Sequence, residues 1–147
     1  MTQRPYLLDT STLLHLVRGR EIGLGIQQKF RLDIQEMKPT LSVVTKGEIQ
    51  VIARANICGQ QKLRVLERAI SSCPIVDISS DEVIAAYVDI MMFSRKNGTE
   101  MKQNDCWIAA CAKVTESYLL TTDRDFDSLY GKVIEGEYID AVRLLDK

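Results

Sequence analysis

Four carboxylates stand where an α/β chain places chemistry. Asp9 closes the apolar run Tyr6-Leu7-Leu8, and Asp123 ends the run Tyr118-Leu119-Leu120-Thr121-Thr122. Glu48 follows Leu41-Ser42-Val43-Val44, one short turn into an expected helix. Asp105 opens another helix, read from Asn104-Asp105-Cys106-Trp107-Ile108-Ala109-Ala110. Strand ends and helix starts meet at the carboxyl edge of a parallel sheet, where such folds hold their ligands. Carboxylates gathered there repel one another and lose water, and the usual remedy is a hard cation such as Mg²⁺ or Mn²⁺. The chemistry this suggests is metal-assisted hydrolysis of a phosphodiester. Each acid alone has a plainer use. Asp9 can cap a helix, Glu48 can complement a helix dipole, and Asp123 can sit in a turn. Asp105 shares a helix face with Ile108, Ala109 and Ala112, and acids on buried faces are rare unless paired or metal-bound. The joint pattern, more than any one member, carries the reading.

The elements that must position these acids follow from the spacing of apolar residues. Short apolar runs predict strands at residues 4–9, 40–43, 74–78 and 118–121, with an edge strand at Val133-Ile134. Helices are predicted over 11–18, 21–30, 45–56, 60–71 and 80–96, with a turn at Cys58-Gly59. The 80–96 helix is the clearest. Val83, Ala86, Tyr87 and Ile90 recur at helical spacing, Asp81 and Glu82 favour its start, and Asn97-Gly98 stops it. Asn104 is expected to cap the helix that carries Asp105, and residues 123–129 to form a helical turn. Strands separated by helices imply a parallel sheet covered on both faces.

The 147 residues suit one domain with a real core. With 20 acidic and 19 basic residues, net charge −1, the chain has no long-range basic field, so a nucleic-acid partner must be met by local Lys/Arg patches. Cys58, Cys73, Cys106 and Cys111 form no C-x-x-C pair and His15 is the only histidine, which argues against zinc and against a two-histidine ribonuclease mechanism within one subunit. The cysteines read as small buried hydrophobes. The start, Met1-Thr2-Gln3-Arg4-Pro5, leads into a run too short for a signal peptide, and no stretch is long enough to span a membrane. A reducing cytoplasm is expected.

The four motifs, in this order, resemble those of PIN-domain ribonucleases of the VapC toxin type. The matching pieces are Leu7-Leu8-Asp9-Thr10-Ser11, Leu41-Ser42-Val43-Val44-Thr45-Lys46-Gly47-Glu48-Ile49, Asn104 to Ala110, and Leu119-Leu120-Thr121-Thr122-Asp123-Arg124-Asp125-Phe126. The resemblance implies one PIN-like α/β/α sandwich over residues 1–147, with a central parallel sheet. It also implies a Mg²⁺- or Mn²⁺-dependent endoribonuclease acting on tRNA or mRNA, a cognate antitoxin as inhibitor, and a homodimer. Carried over by position, Asp9, Glu48, Asp105 and Asp123 are both catalytic and metal-binding. Ser11 stands where relatives often carry Asn; it and Thr122 are expected to hydrogen-bond metal water or the carboxylates. Asp125 and Asp127 are expected to be solvated or to lie outside the ligand set. Lys46 and Arg124, flanking motif residues, are the expected RNA contacts.

The rival readings are a catalytically inactive PIN-like RNA-binding or scaffold domain, which all four acids argue against, and a phosphoacceptor module. Asp9-Thr10-Ser11 lacks the second Asp of one common phosphatase class. A homodimer is expected from the first helix (Leu13, Leu14, Leu16, Val17) and the 60–71 helix, whose apolar surface exceeds the needs of one core face.

Overall fold

A computed structural model describes residues 4–34, 37–55 and 59–145. The elements run β1 (Tyr6–Leu8), α1 (Thr10–Arg18), α2 (Glu21–Phe30), β2 (Thr40–Ser42), α3 (Val43–Ala55), α4 (Gln60–Ser71) and β3 (Ile75–Val76). There follow α5 (Asp81–Lys96), α6 (Gln103–Val114), β4 (Tyr118–Thr121), a 3-10 turn (Arg124–Leu129), β5 (Glu135–Tyr138) and α7 (Ala141–Leu145). Strand order is β3-β2-β1-β4-β5 and every pairing is parallel. This is the α/β/α sandwich that the alternation of elements predicts.

The sheet's two faces are read from successive residues. Leu7 and Leu119 point into one apolar layer with Val83, Ile90, Ile108 and Phe126, beneath α5 and α6. Leu8 and Leu120 point into the other, with Leu13, Ile26, Leu41, Ile49 and Ile70, beneath α1 to α4. These adjacent leucines are 0–1% exposed, and each fully buried leucine contributes roughly 1.5–3 kcal/mol. The register pairs Leu7 with Leu119 and Leu8 with Leu120, so β1 and β4 end side by side.

Helix ends follow local chemistry. Ser80 accepts a hydrogen bond from the Val83 amide (3.2 Å), with Asp81 and Glu82 in the first turn and Arg95 and Lys96 in the last. Gly19 ends α1 in the left-handed region (φ 64°). The chain then turns so sharply that a Cβ on Gly23 would lie 2.1 Å from the His15 carbonyl oxygen.

Element bounds differ from expectation in several places, and α3 already begins at Val43. α6 begins at Gln103 with Lys102 as cap residue, without a side-chain capping bond, so Asn104 lies inside the helix. The edge strand is Glu135–Tyr138 rather than Val133-Ile134; Ile134 instead bridges back to Tyr130 across the turn at Gly131. Of the expected 45–56 helix, Asn56 lies outside the described residues, as does Cys58 of the expected turn. The apolar residues of α1 are used within the molecule: Leu13 is buried, and Leu14, Leu16 and Val17 pack half-buried against the same layer. Cys106 and Cys111 are buried and Cys73 half-buried, all as free thiols. Trp107 stacks on Tyr87 at 3.9 Å, joining α6 to α5.

Candidate metal centre

The carboxyl ends of β1 and β4 open into a cleft of about 640 Å³ lined by Asp9, Glu48, Asp105, Asp123 and Asp125 among others. All four acids singled out by sequence are in it. β1 delivers Asp9, α3 delivers Glu48, α6 delivers Asp105 from its first turn, and Asp123 follows β4.

Within the cleft the acids divide into two groups. Asp105, Asp123 and Asp125 each bring a carboxylate oxygen within 4.8 Å of the other two. Asp125 is thus drawn in with the ligand-spaced acids, although sequence gave it no such place. Asp123 also accepts from the Asp125 amide (3.0 Å), which fixes the start of the 3-10 turn and brings the two carboxylates together. Asp127 instead pairs with Arg124.

Asp9 is 4% exposed and fully engaged. Its Oδ1 accepts from Ser11 Oγ (2.8 Å) and the Thr12 amide (2.9 Å), making it the α1 cap as well as a cleft acid. Its Oδ2 accepts from Thr121 Oγ1 (2.5 Å), and Thr121 in turn accepts from the Asp123 amide (2.9 Å). Thr121 therefore ties two site acids together. Thr122 contributes its backbone amide to Ser11 Oγ (3.3 Å). Glu48 accepts from Thr10 Oγ1 (2.7 Å), which also reaches Thr45 (3.2 Å). Given the β1–β4 pairing, strand alternation accounts for the Thr121 contact: Asp9 and Thr121 each lie two residues beyond the paired Leu7 and Leu119, on their face of the sheet. Nothing in the sequence singles out Thr10.

The electrostatics follow from this crowding. Burial first, then a proton shared with Asp125 and that residue's charge, then the charges of Asp123 and Glu48, push the Asp105 carboxyl up to about 7. Burial also raises Asp9, against the lowering effect of its Thr121, Thr12 and Ser11 donors. Such a site is short of positive charge, and the donors offered are carboxylate oxygens, with no His or Cys lining it among the described residues. That set fits a hard divalent cation.

Cations are sparse here. Lys102 lines the cleft, 3.9 Å from Asp125. Lys46 instead lines a separate groove with Gln50, Arg54 and Cys73. Arg124 lies over the Tyr138 ring (4.2 Å) and bonds Asp127 (3.1 Å), outside the cleft lining. His15 is half-buried in α1 and does not line the cleft; burial, then Arg18, lowers its pKa. Beside the cleft runs a second hollow of about 720 Å³, with Leu14, Val17, Ile52, Val65 and Leu66 in its walls and Arg18, Arg20 and Lys62 also lining it. Leu14 lines both hollows.

A family model, that of the PIN domain, matches residues 6–132. A sequence comparison with curated proteins gives no significant match. Among solved structures, the chain is similar to VapBC2 from Rickettsia felis bound to a promoter DNA fragment (TM-score 0.77, 18% identity, 92% of this chain and 98% of that one). DNA-bound VapBC from Salmonella typhimurium gives a TM-score of 0.76 at 22% identity, over 92% and 98% of the two chains. A toxin-antitoxin complex from Klebsiella pneumoniae gives 0.65 at 25% identity, over 86% and 93%.

Proposed function

Because the chain belongs to the PIN-domain family, matched over residues 6–132, we propose that it is a metal-dependent endoribonuclease and the toxin of a prokaryotic type II toxin–antitoxin pair. The observation that carries this is the convergence of Asp9, Glu48, Asp105, Asp123 and Asp125 in one cleft at the sheet's carboxyl edge. Asp105, Asp123 and Asp125 would hold Mg²⁺ or Mn²⁺, with Glu48 and Asp9 completing the negative field. When bound, such an ion polarises the scissile phosphate and makes hydroxide available near neutral pH.

The chain's own residues do the rest. Thr121 and Ser11 hold Asp9, and Thr10 holds Glu48, so each carboxylate meets substrate already oriented. Lys102 offers an ammonium to an RNA phosphate from the mouth of the cleft, with Lys46 and Arg124 as outlying contacts to the same strand. The similar solved structures include toxin–antitoxin complexes, which supports an antitoxin partner. The apolar hollow that meets the cleft at Leu14 suits an amphipathic segment of such a protein, entering beside the acids. The protein is proposed to work in the cytoplasm as a homodimer; among the described residues no helix is long and apolar enough to cross a membrane.

The test is cleavage of total tRNA and of mRNA with Mg²⁺, with Mn²⁺ and in chelator. Cleavage is expected with metal only, and Asp105→Asn should abolish it with the circular dichroism spectrum unchanged. An intact RNA pool bound by wild-type protein in every metal would leave the scaffold reading in its place.

A further inference from the structure

The carboxyl edge of the sheet continues past the acids. Asp9 and Thr121 stand one residue beyond the paired Leu8 and Leu120, and Thr121 pairs in turn with Tyr138 of β5. Paired residues of a parallel ladder share a face, so Asp9, Thr121 and Tyr138 form a row across three neighbouring strands. At about 4.8 Å per strand, Tyr138 stands about 10 Å from Asp9 along that row.

The chain leaving β4 folds over the far end of this row. Asp123 enters the acidic cleft, while Arg124, outside the cleft lining, lays its guanidinium over the half-buried Tyr138 ring, 4.2 Å from the centroid. At that distance the group sits on the face of the ring and not at its rim. Its Nη1 donates to Asp127 (3.1 Å) of the same 3-10 turn. Ring and carboxylate together hold the guanidinium in one orientation. The Arg124 side chain is nevertheless 68% exposed, so its outer side is open. The result is a flat cationic plate, backed by an aromatic ring, one residue from a metal-site acid.

A phosphate contact needs no such backing. A cation on a free stem suffices, and Lys102, 83% exposed at the cleft, is one. A plate held flat suits a partner that is itself flat. Unstacked nucleic-acid bases settle on guanidinium planes and aromatic rings in this way. A base is also what adjoins any phosphate presented to the cleft. Bases inside a duplex are already stacked on their neighbours, so the plate can take only one that is splayed out.

We propose that Arg124, backed by Tyr138 and steadied by Asp127, is a stacking platform for an unpaired RNA base adjoining the scissile phosphate. Arg124 touches the base; Tyr138 and Asp127 are positioning residues. The inference rests on the RNA substrate of the proposed function and narrows it. The cut falls in a loop, a bulge or a single strand, where a nucleotide can leave its stack, and not in continuous duplex.

The probe is a short uridine oligomer carrying one 2-aminopurine, whose fluorescence is quenched by stacking. It is titrated in chelator, and then in Mg²⁺ on the Asp105→Asn background, so that it stays intact. Protein with Arg124 should quench it. Arg124→Lys keeps the charge and a reach to Asp127 but has no plane. It should weaken binding by about fivefold or more and remove the quench, with an unchanged circular dichroism spectrum. Asp127→Ala should reduce the quench in part. In Mg²⁺-dependent cleavage, an abasic nucleotide on one side of the cut should cost wild type the same factor in kcat/KM as Arg124→Lys does, and cost that variant nothing further. Equal binding and equal quench with Arg124 and with Lys at this position overturn the platform, whether or not RNA is cut. An Arg124-dependent quench without cleavage in any metal keeps the platform and removes the nuclease. No RNA binding in either condition overturns the platform and the RNA substrate together.

Discussion

At the scale of single residues, the site is a set of carboxylates and the hydroxyls that aim them. Thr121 is the least replaceable of these, since its one hydroxyl donates to Asp9 and accepts from the Asp123 amide. Thr121→Val keeps the shape and removes both bonds. It should cost about 1–3 kcal/mol in stability and lower kcat at least tenfold, measured by thermal melts and single-turnover RNA cleavage. A second expectation concerns pH. Asp105 titrates near 7 in the folded protein, above its ordinary 3.8, so the folded state holds this proton more tightly than the unfolded chain. The linkage therefore runs downward: stability in chelator should fall as pH rises from about 4 to about 7 and then level off. Asp105→Asn should flatten much of that slope, leaving the like-signed part from the raised Asp9; melts across pH in chelator compare the two proteins. Sequence alone placed Asp9, Glu48, Asp105 and Asp123 at this cleft because strand ends and helix starts have recognisable edges. It reads Asp125 as a solvated acid or one outside the ligand set, because its closeness to Asp105 and Asp123 depends on how tightly the 3-10 turn curls, a property of backbone geometry that residue types do not encode.

At the scale of elements, legibility tracked how local the cause was. α2, α4 and β4 begin and end where periodicity and turn residues put them. α6 starts one residue before Asn104, with Lys102 in the cap position and no side-chain bond there. β5 is hard to read from sequence because Glu135-Gly136-Glu137-Tyr138 has no apolar run; it pairs along the sheet edge, where Gly136 lies so close to Leu119 that a Cβ would meet its carbonyl oxygen at 2.6 Å. Glycines on helices give a matched pair of tests. Gly23→Ala must push α2 away from the α1 carbonyl of His15 and should cost about 3 kcal/mol, at the upper end of overpacking penalties. Gly47→Ala on α3 meets nothing within 4 Å and should instead stabilise by about 0.5–1 kcal/mol. Denaturant titration of the two variants reads both signs.

At the scale of the whole molecule, the cleft's charge is set against the stability of the fold. Glu48→Gln keeps an oxygen for Thr10 while removing one of the charges that crowd Asp105. In chelator this variant should melt at or above wild type. Mg²⁺ at ten times its dissociation constant should stabilise wild type by roughly 1.4 kcal/mol and the variant distinctly less; melts across a Mg²⁺ titration at fixed ionic strength show both. The sandwich itself was legible because alternating apolar runs and helical periods admit few other layerings. Strand order was not, since β1 and β4 are brought together by contacts that no local pattern announces. That order has a consequence in time. The Thr121 hydroxyl that closes on Asp9 comes from 112 residues further along the chain, and central β1 lacks its β4 neighbour until then. While the chain is being synthesised, the acids of β1, α3 and α6 emerge before the strand that aligns them. Until Thr121 has been made, Asp9 lacks the hydroxyl that holds its Oδ2, and Asp123 has not yet followed β4 to the cleft, so the acids that come first wait for the one strand that orders them.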